Sequence, residues 1–160
     1  MGTNLQNDVQ DINLSVLQKK KFRIDGDDNR ILELDVSDMN IVVRLRNAYP
    51  KLEELTKKIS EMDSDDSTED EDALDESIKK LGNSVEEIDN ATRDLLDYIF
   101  DSNVSEICAP SGSMYDMING EFRYEHILNV LTNLYEQNID KEYKKMKNRI
   151  RKHTDKYTGK

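Results

Sequence analysis

The residues that could bind a metal ion do not have the spacing of a metal site. Asp25–Asn29 resembles the start of a calcium loop, but Arg30 and Val36 occupy the positions that require glycine and a bidentate glutamate. The acidic run that begins at Asp63 fails in the same way, because Thr68 takes the glycine position. We therefore interpret the first segment as a turn and the second as a solvated linker, and we expect no metal.

Residues suited to nucleophilic catalysis are equally sparse. Cys108 could pair with His126, but the sequence suggests no third group to orient the histidine. His126 and His153 are 27 residues apart, with no Cys or acid at zinc-ligand spacing. The chain also has no GxGxxG or GxxxxGK[ST] phosphate-binding loop. These observations predict a protein that is not an enzyme and that needs no cofactor.

Composition predicts a small soluble domain. Of the 160 residues, 36% are hydrophobic and 36% are charged, and there is no tryptophan. We expect a small core with loosely held ends, or an oligomer that completes its core between subunits. The single cysteine fits a reducing cytoplasm, and no segment approaches the roughly 18 apolar residues that span a bilayer. The first ten residues lack the features of a secretory signal, so the predicted location is cytoplasmic.

Charge is divided unevenly along the chain, whose net charge is −11. Asp63–Glu76 holds nine acids and no base, whereas Lys141–Lys160 holds nine bases and two acids. Tyr143 and Tyr157 lie among these bases, a pattern that nucleic-acid binding can use. The negative remainder of the chain would repel a phosphate backbone, so the basic segment favours an acidic protein surface instead.

The first structured segment reads as a β-hairpin followed by a helix. Phe22–Ile24 and Ile31–Leu34 alternate apolar and polar residues, and Asp25–Asn29 between them is rich in turn formers. Asp35 or Ser37 is a candidate cap for the helix that follows.

That helix is predicted to continue to about Met62, with a break or kink at Pro50. Its apolar residues are expected on one side: Met39, Val42, Val43, Leu45 and Leu52.

The clearest pattern is a heptad repeat with 4-3-4 spacing, which predicts a long helix. Its positions are Leu74, Ile78, Leu81, Val85, Ile88, Thr92, Leu95 and Ile99. Both packing within the chain and a coiled coil with a partner stay open for this stripe.

A last helical region begins near Glu121. Its apolar stripe extends into the basic segment at the same 4-3-4 spacing through Ile139, Tyr143, Met146 and Ile150.

The predicted fold class is α+β, mainly α-helical with a small N-terminal β-hairpin. We divide the chain into a flexible arm (1–18), a hairpin and helix module (19–62), an acidic linker (63–72), a helical region (73–153) and a basic frayed tail (154–160). Nine residues are expected to be largely buried: Leu45, Leu81, Val85, Ile88, Leu95, Ile99, Ile127, Leu131 and Leu134.

The order of these elements resembles the tail assembly chaperones of siphophages and prophages of Gram-positive bacteria. The resemblance begins in Lys21–Leu55, with the strand end Leu32–Asp35 and the helix start Ser37–Asn40. It continues in Leu95–Phe100, similar to an Ile-Asp-x-Ile-Phe motif, and in a final helix after Asn119. The family often has glycine after the phenylalanine, where this chain has Asp101-Ser102.

The resemblance implies a protein of the host bacterial cytoplasm that binds the phage tape measure protein and keeps it soluble while the tail tube assembles. It leaves association of the chain with itself open and implies no membrane partner. Flexible methionines and apolar helix faces suit adaptable contacts with such a client. The predicted partner-binding residues are Met114, Met117, Ile139, Tyr143, Met146 and Ile150.

The alternative function is a small acidic phage or prophage inhibitor that mimics nucleic acid and blocks a host DNA-binding protein. The acidic run Asp63–Glu76 motivates this alternative. A mimic needs carboxylates fixed at phosphate-like spacing, whereas so dense a run of like charge is expected to be disordered. Nucleic acid itself is not an expected partner.

Overall fold

A computed structural model describes residues 8–14, 19–62 and 71–158, with side chains described between 74 and 152 in the last range. The chain is mainly helical and carries an N-terminal two-stranded antiparallel hairpin, which confirms the predicted α+β class. The elements are β1 (Lys20–Ile24), β2 (Asp27–Leu34), α1 (Ile41–Glu61), α2 (Glu71–Phe100), α3 (Val104–Cys108), β3 (Met117–Ile118), β4 (Glu121–Phe122) and α4 (Arg123–Thr158).

The N-terminal hairpin turns at only two residues. Asp25 (φ 53°) and Gly26 (φ 71°) both adopt the left-handed conformation that a tight antiparallel connection needs. The predicted turn ended at Asn29, but Asp27 already pairs with Ile24 as the first residue of β2. Leu32 and Leu34 are fully buried, so one face of the hairpin belongs to the core.

Helix α1 begins and continues differently from the prediction. Neither Asp35 nor Ser37 caps it: Asn40 is the N-cap and makes no side-chain capping bond. The Asp35 carboxylate instead accepts hydrogen bonds from the backbone N–H and hydroxyl of Ser37, as a local turn. Pro50 lies inside the helix, which continues to Glu61.

The apolar face of α1 is also rotated from its predicted position. Ile41, Ala48 and Leu52 are buried, and Leu45 is half-buried. The expected inward positions Met39, Val42 and Val43 are exposed. The error arose because two adjacent valines were assigned to the same face as Leu52, although neighbouring residues on a helix point about 100° apart.

Three helices, α1, α2 and α4, form the body of the molecule. Helix α1 runs antiparallel to α2, and α4 runs parallel to α2. Arg44 of α1 donates from Nε to the carbonyl of Ile99 near the end of α2 (2.7 Å), so α1 and α2 are antiparallel. Thr56, near the end of α1, contacts Tyr124 at the start of α4 through their hydroxyls (2.6 Å). Tyr135 of α4 reaches the ring of Phe100 at 5.9 Å. Helix α4 therefore runs parallel to α2.

The core confirms part of the predicted buried set. Ile88, Ile99 and Leu131 are buried, whereas Leu45, Val85, Leu95, Ile127 and Leu134 are half-buried. Leu81 was expected inside and is 46% exposed, because α1 ends at Glu61 and leaves this part of α2 without a neighbouring helix. The largest fully buried side chains are Phe100, Leu32, Leu34, Leu52, Leu96, Ile99, Met114, Val104 and Thr92.

The helix bounds bear on the predicted linker and tail. Helix α2 begins at Glu71, within the segment assigned to the acidic linker, and residues 63–70 lie outside the described part of the chain. Helix α4 continues to Thr158, within the segment expected to fray. None of the helices in the described ranges is long and apolar enough to cross a membrane.

Candidate partner-binding surface

Helix α2 divides into a buried half and an exposed half that share one heptad repeat. Its second half packs Ile88, Thr92 and Ile99 into the core. Its first half presents Leu74, Ile78 and Leu81 to solvent at 47%, 58% and 46% exposure. We call Leu74, Ile78, Leu81 and the half-buried Val85 the α2 stripe.

Helix α4 divides in the same way, but in the opposite order. Tyr124, Leu131 and Tyr135 in its first half are buried. Ile139 is half-buried against the core, and beyond it Tyr143, Met146 and Ile150 are all exposed. The ammonium group of Lys147 lies 4.8 Å above the Tyr143 ring, a cation–π contact that holds the ring along the helix. We call Ile139, Tyr143, Met146 and Ile150 the α4 stripe.

The two stripes lie at opposite ends of the molecule. Because α1 and α2 are antiparallel, the end of α1 lies beside the middle of α2. The first half of α2, which carries the α2 stripe, extends beyond the end of α1. The α4 stripe continues past the other end, where Asn138 donates to the carbonyl of Val36 just after the hairpin. The segment from Asp63 to Val85, which ends with the α2 stripe, holds nine acids and two bases (Lys79 and Lys80). The segment Lys141–Lys160, which holds most of the α4 stripe, has nine bases and two acids.

A buried ion pair shapes the loop that connects α2 to α4. Arg93 donates to Asp89 at 2.8 Å on α2, and both side chains are less than 20% exposed. The Asp89 carboxylate also accepts the backbone N–H of Met114 and the Ser113 hydroxyl. The Arg93 guanidinium donates to the carbonyls of Ala109 and Gly112, at 2.8 Å each. This network holds the loop against α2 and draws Met114 into the core.

Two further arginines satisfy carbonyl groups at helix ends. Arg30 of β2 donates to the carbonyls of Ile107 and Cys108 at the end of α3 (2.8 and 2.9 Å). Arg44 does the same at Ile99 and also pairs with Asp38 at 2.9 Å. The last carbonyls of a helix lack internal donors and carry partial negative charge, so guanidinium groups suit both positions. These contacts fix the hairpin and α1 to the helical body.

Tyrosine hydroxyls pair with threonines where the helices meet. Tyr115 and Thr92 share a buried hydrogen bond of 2.7 Å, and Tyr124 and Thr56 share one of 2.6 Å. Burial raises the pKa of both tyrosines. Phe122 packs edge-on to Tyr115, with ring centroids 5.3 Å apart. Among the described residues, no buried side-chain nitrogen or oxygen lacks a hydrogen-bond partner.

The predicted partner-binding residues do not form one surface. Met114 is fully buried beneath the connecting loop, so it has no surface for a partner, and that assignment is wrong. Met117 is exposed on β3, near the start of α4. The α4 stripe begins 16 residues after the start of α4, about 24 Å away at 1.5 Å per residue. Only Tyr143, Met146 and Ile150 form a continuous exposed row.

Sequence analysis left a coiled coil with a partner open for the heptad repeat, but it did not predict which part of α2 is exposed. The signal was present, because the heptad repeat from Leu74 to Ile99 spans more residues than α1 could cover. The prediction counted Leu81 as core and included no α2 residue among the partner-binding set. Comparing the length of the repeat with the length of its neighbouring helix would have found the exposed half.

The residues considered for catalysis and metal binding have other surroundings. Burial raises the pKa of the Cys108 thiol to about 11, although Arg30 nearby partly opposes it. His126 lies on the surface with Nδ1 2.7 Å from Glu121 Oε1. Within 8–14, 19–62 and 71–158, no three His, Cys, Asp or Glu side chains form a group that could hold a metal ion.

A groove lies between the hairpin and the segment that follows α2, and five of its nine lining residues are charged: Lys19, Lys21, Arg23, Glu33 and Asp101. Lys21 lies 3.9 Å from Glu33 across the two strands, and Arg23 lies 2.9 Å from Asp28. These charges are exposed and neutralise one another. The groove is better explained as a solvated strand surface than as a ligand site.

Comparison of the chain with protein-family models, with curated proteins and with solved structures finds no match.

Proposed function

We propose that this protein is a tail assembly chaperone that binds apolar helical segments of the phage tape measure protein and keeps it soluble until the tail tube forms. The observation that carries the proposal is the extension of two amphipathic helices beyond the core with apolar stripes in solvent. A helix added to either stripe would continue the packing that the buried halves of α2 and α4 already have.

The chemistry of the stripes suits a long apolar client of varied sequence. Tyr143 and Met146 provide a broad ring and a flexible thioether, side chains that adapt to different partners. Covering one half-exposed side chain of this size yields about 1 kcal/mol. A single stripe therefore binds weakly and reversibly, which suits a chaperone that has to leave.

A long client makes weak contacts sufficient, because it offers many apolar segments along one chain. Several copies bound to one tape measure protein would raise the overall affinity without tighter individual contacts. The net charge of −11 on each copy would keep such a loaded complex apart from others.

The test is co-expression with the tape measure protein of the same phage or prophage. The variant Tyr143→Ser with Met146→Ser should recover at least about tenfold less client, because each tenfold is 1.4 kcal/mol. Val130→Ser is the matched control: it also replaces an exposed apolar residue of α4 and lies off the stripe. Full recovery by the double variant, or equal loss by the control, contradicts the assignment of the client to this stripe.

Salt separates this proposal from nucleic-acid mimicry. Client binding through apolar contacts should persist in 0.5 M NaCl, where exposed charges more than about 4–5 Å apart are screened. Binding to a host DNA-binding protein that disappears at this salt concentration, together with no binding to the tape measure protein, would favour the mimic.

A further inference from the structure

We propose that copies of this protein associate head to tail, with the α4 stripe of one copy packed on the α2 stripe of the next. The contact is independent of the proposed function, because it involves this chain alone. It rests on three properties: the matching spacing of the stripes, the opposite charge of the segments that contain them, and their positions at opposite ends of the molecule.

The two stripes match in length and repeat. Leu74 to Val85 and Ile139 to Ile150 both follow 4-3-4 spacing over the same number of residues. Each stripe is about 16 Å long at 1.5 Å per residue. Apolar residues repeated at this average of 3.5 residues are those that two helices bury between them in a coiled coil.

Charge selects which stripes pair. The segment from Asp63 to the end of the α2 stripe at Val85 has nine acids and two bases, Lys79 and Lys80, so its net charge is −7. The α4 stripe lies largely within Lys141–Lys160, which has nine bases and two acids. Pairing two α2 stripes or two α4 stripes would bring like charges together, whereas pairing one of each brings opposite charges together.

The α2 stripe and the α4 stripe of one copy are too far apart to pack against each other. Val85 is 15 residues before Phe100 on α2, and Phe100 lies beside Tyr135, four residues before Ile139. At 1.5 Å per residue the nearest ends of the stripes are roughly 28 Å apart along the body. The pairing therefore needs a second copy.

The pairing has a defined consequence for assembly. Each contact uses one α4 stripe and one α2 stripe and leaves one of each at the two ends of the pair. A contact between different surfaces of the same molecule builds open chains or closed rings. The average mass should therefore rise with protein concentration beyond that of a dimer.

Sedimentation velocity of the purified full-length chain, without client, provides the first test. The average mass should rise with concentration at 50 mM NaCl, and the apparent dissociation constant should weaken roughly tenfold at 500 mM NaCl, since a shorter screening length weakens the charge attraction. A monomer at all concentrations, or association that strengthens with salt, would overturn the proposal.

Complementation of two variants provides the decisive test. Leu74→Ser with Ile78→Ser removes the α2 stripe, and Tyr143→Ser with Met146→Ser removes the α4 stripe. Each variant alone should stay monomeric, with at least tenfold weaker association. Mixed together they should form a one-to-one dimer and nothing larger, because each retains the surface that the other lacks.

Several outcomes would overturn the head-to-tail contact. Either variant associating like the native chain would do so, as would a mixture that stays monomeric while circular dichroism shows native helix content in both variants. Val130→Ser should associate normally as the control. If Tyr143→Ser with Met146→Ser loses association but still captures the client, the result supports this inference and contradicts the proposed function. If it associates like the native chain but loses client capture, the result refutes this inference and leaves the proposed function standing.

Discussion

The two halves of α2 carry the same repeat and meet opposite surroundings. Ile88, Thr92 and Ile99 are buried by α1, α4 and the connecting loop, whereas Leu74 and Ile78 at equivalent positions are exposed. Helix α4 shows the same contrast between its body and its basic extension. A heptad repeat determines which face of a helix is apolar. The lengths of the neighbouring helices determine whether that face is covered.

The largest expected difference between the halves is in stability. Leu96→Ala, at a fully buried position of α2, should lower the free energy of unfolding by about 3 kcal/mol, because it opens a cavity. Ile78→Ala on the same helix should change it by less than about 0.5 kcal/mol, since the side chain is exposed. Urea unfolding followed by circular dichroism measures both. Equal losses would mean that the two halves are equally covered.

The connecting loop should protect Cys108 from alkylation. Burial raises the pKa of this thiol from 9.0 to about 11, so the folded chain holds less reactive thiolate at pH 8. Because each pKa unit is a factor of ten, iodoacetamide should react roughly 100-fold more slowly with the folded chain than with the urea-unfolded chain. Because the pKa of Cys108 is higher in the folded chain, its contribution to stability is fully present below pH 9. This contribution is lost as the pH rises toward 11. Similar alkylation rates in both states would show that the loop leaves the thiol accessible.

A smaller loss of stability is expected from the ion pair that holds the loop. Asp89→Ala should cost about 2 kcal/mol, because it leaves the Arg93 Nε–H and the Met114 N–H without their acceptor. Glu54→Ala removes an exposed pair with Lys58 and should cost less than about 1 kcal/mol. Chemical unfolding ranks the two variants. A larger loss of stability from Glu54→Ala than from Asp89→Ala would contradict the conclusion that the Asp89–Arg93 pair holds the loop.

Deleting the basic end of α4 should have little effect on stability. Removing residues 141–160 should change the free energy of unfolding in dilute protein by less than about 1 kcal/mol, because residues 141–152 are exposed along α4. The same deletion should weaken both client capture and self-association. Thermal unfolding with the two binding assays tests this, and a large loss of stability would place the basic helix in the fold.

The sequence predicted the architecture where local patterns were sufficient. The alternation around Asp25-Gly26 predicted the hairpin, and the heptad repeat predicted α2. The turn was placed too long because acidic residues at the start of β2 read as turn formers. The small β3–β4 hairpin was missed, since each strand has only two residues.

The candidate surface was less predictable because it depends on contacts between distant residues. Met114 is a residue type that often binds partners, yet it is buried in this fold. Its backbone N–H donates to the carboxylate of Asp89, 25 positions earlier, which holds it against α2. Tyr115 and Thr92 were not expected to pair, because hydrogen bonds between side chains on separate elements leave no periodic signal. The α4 stripe was predicted correctly as a pattern, and its role as a partner-binding surface stays a prediction.

Hydrogen–deuterium exchange with and without the tape measure protein shows whether the client binds the two stripes. Client binding should slow exchange selectively in residues 74–85 and 139–150, while exchange in the already protected body changes little. The client should be added to dilute protein, so that self-association does not protect the same segments. A bound client that leaves both segments unprotected, or that protects the body instead, would contradict the account.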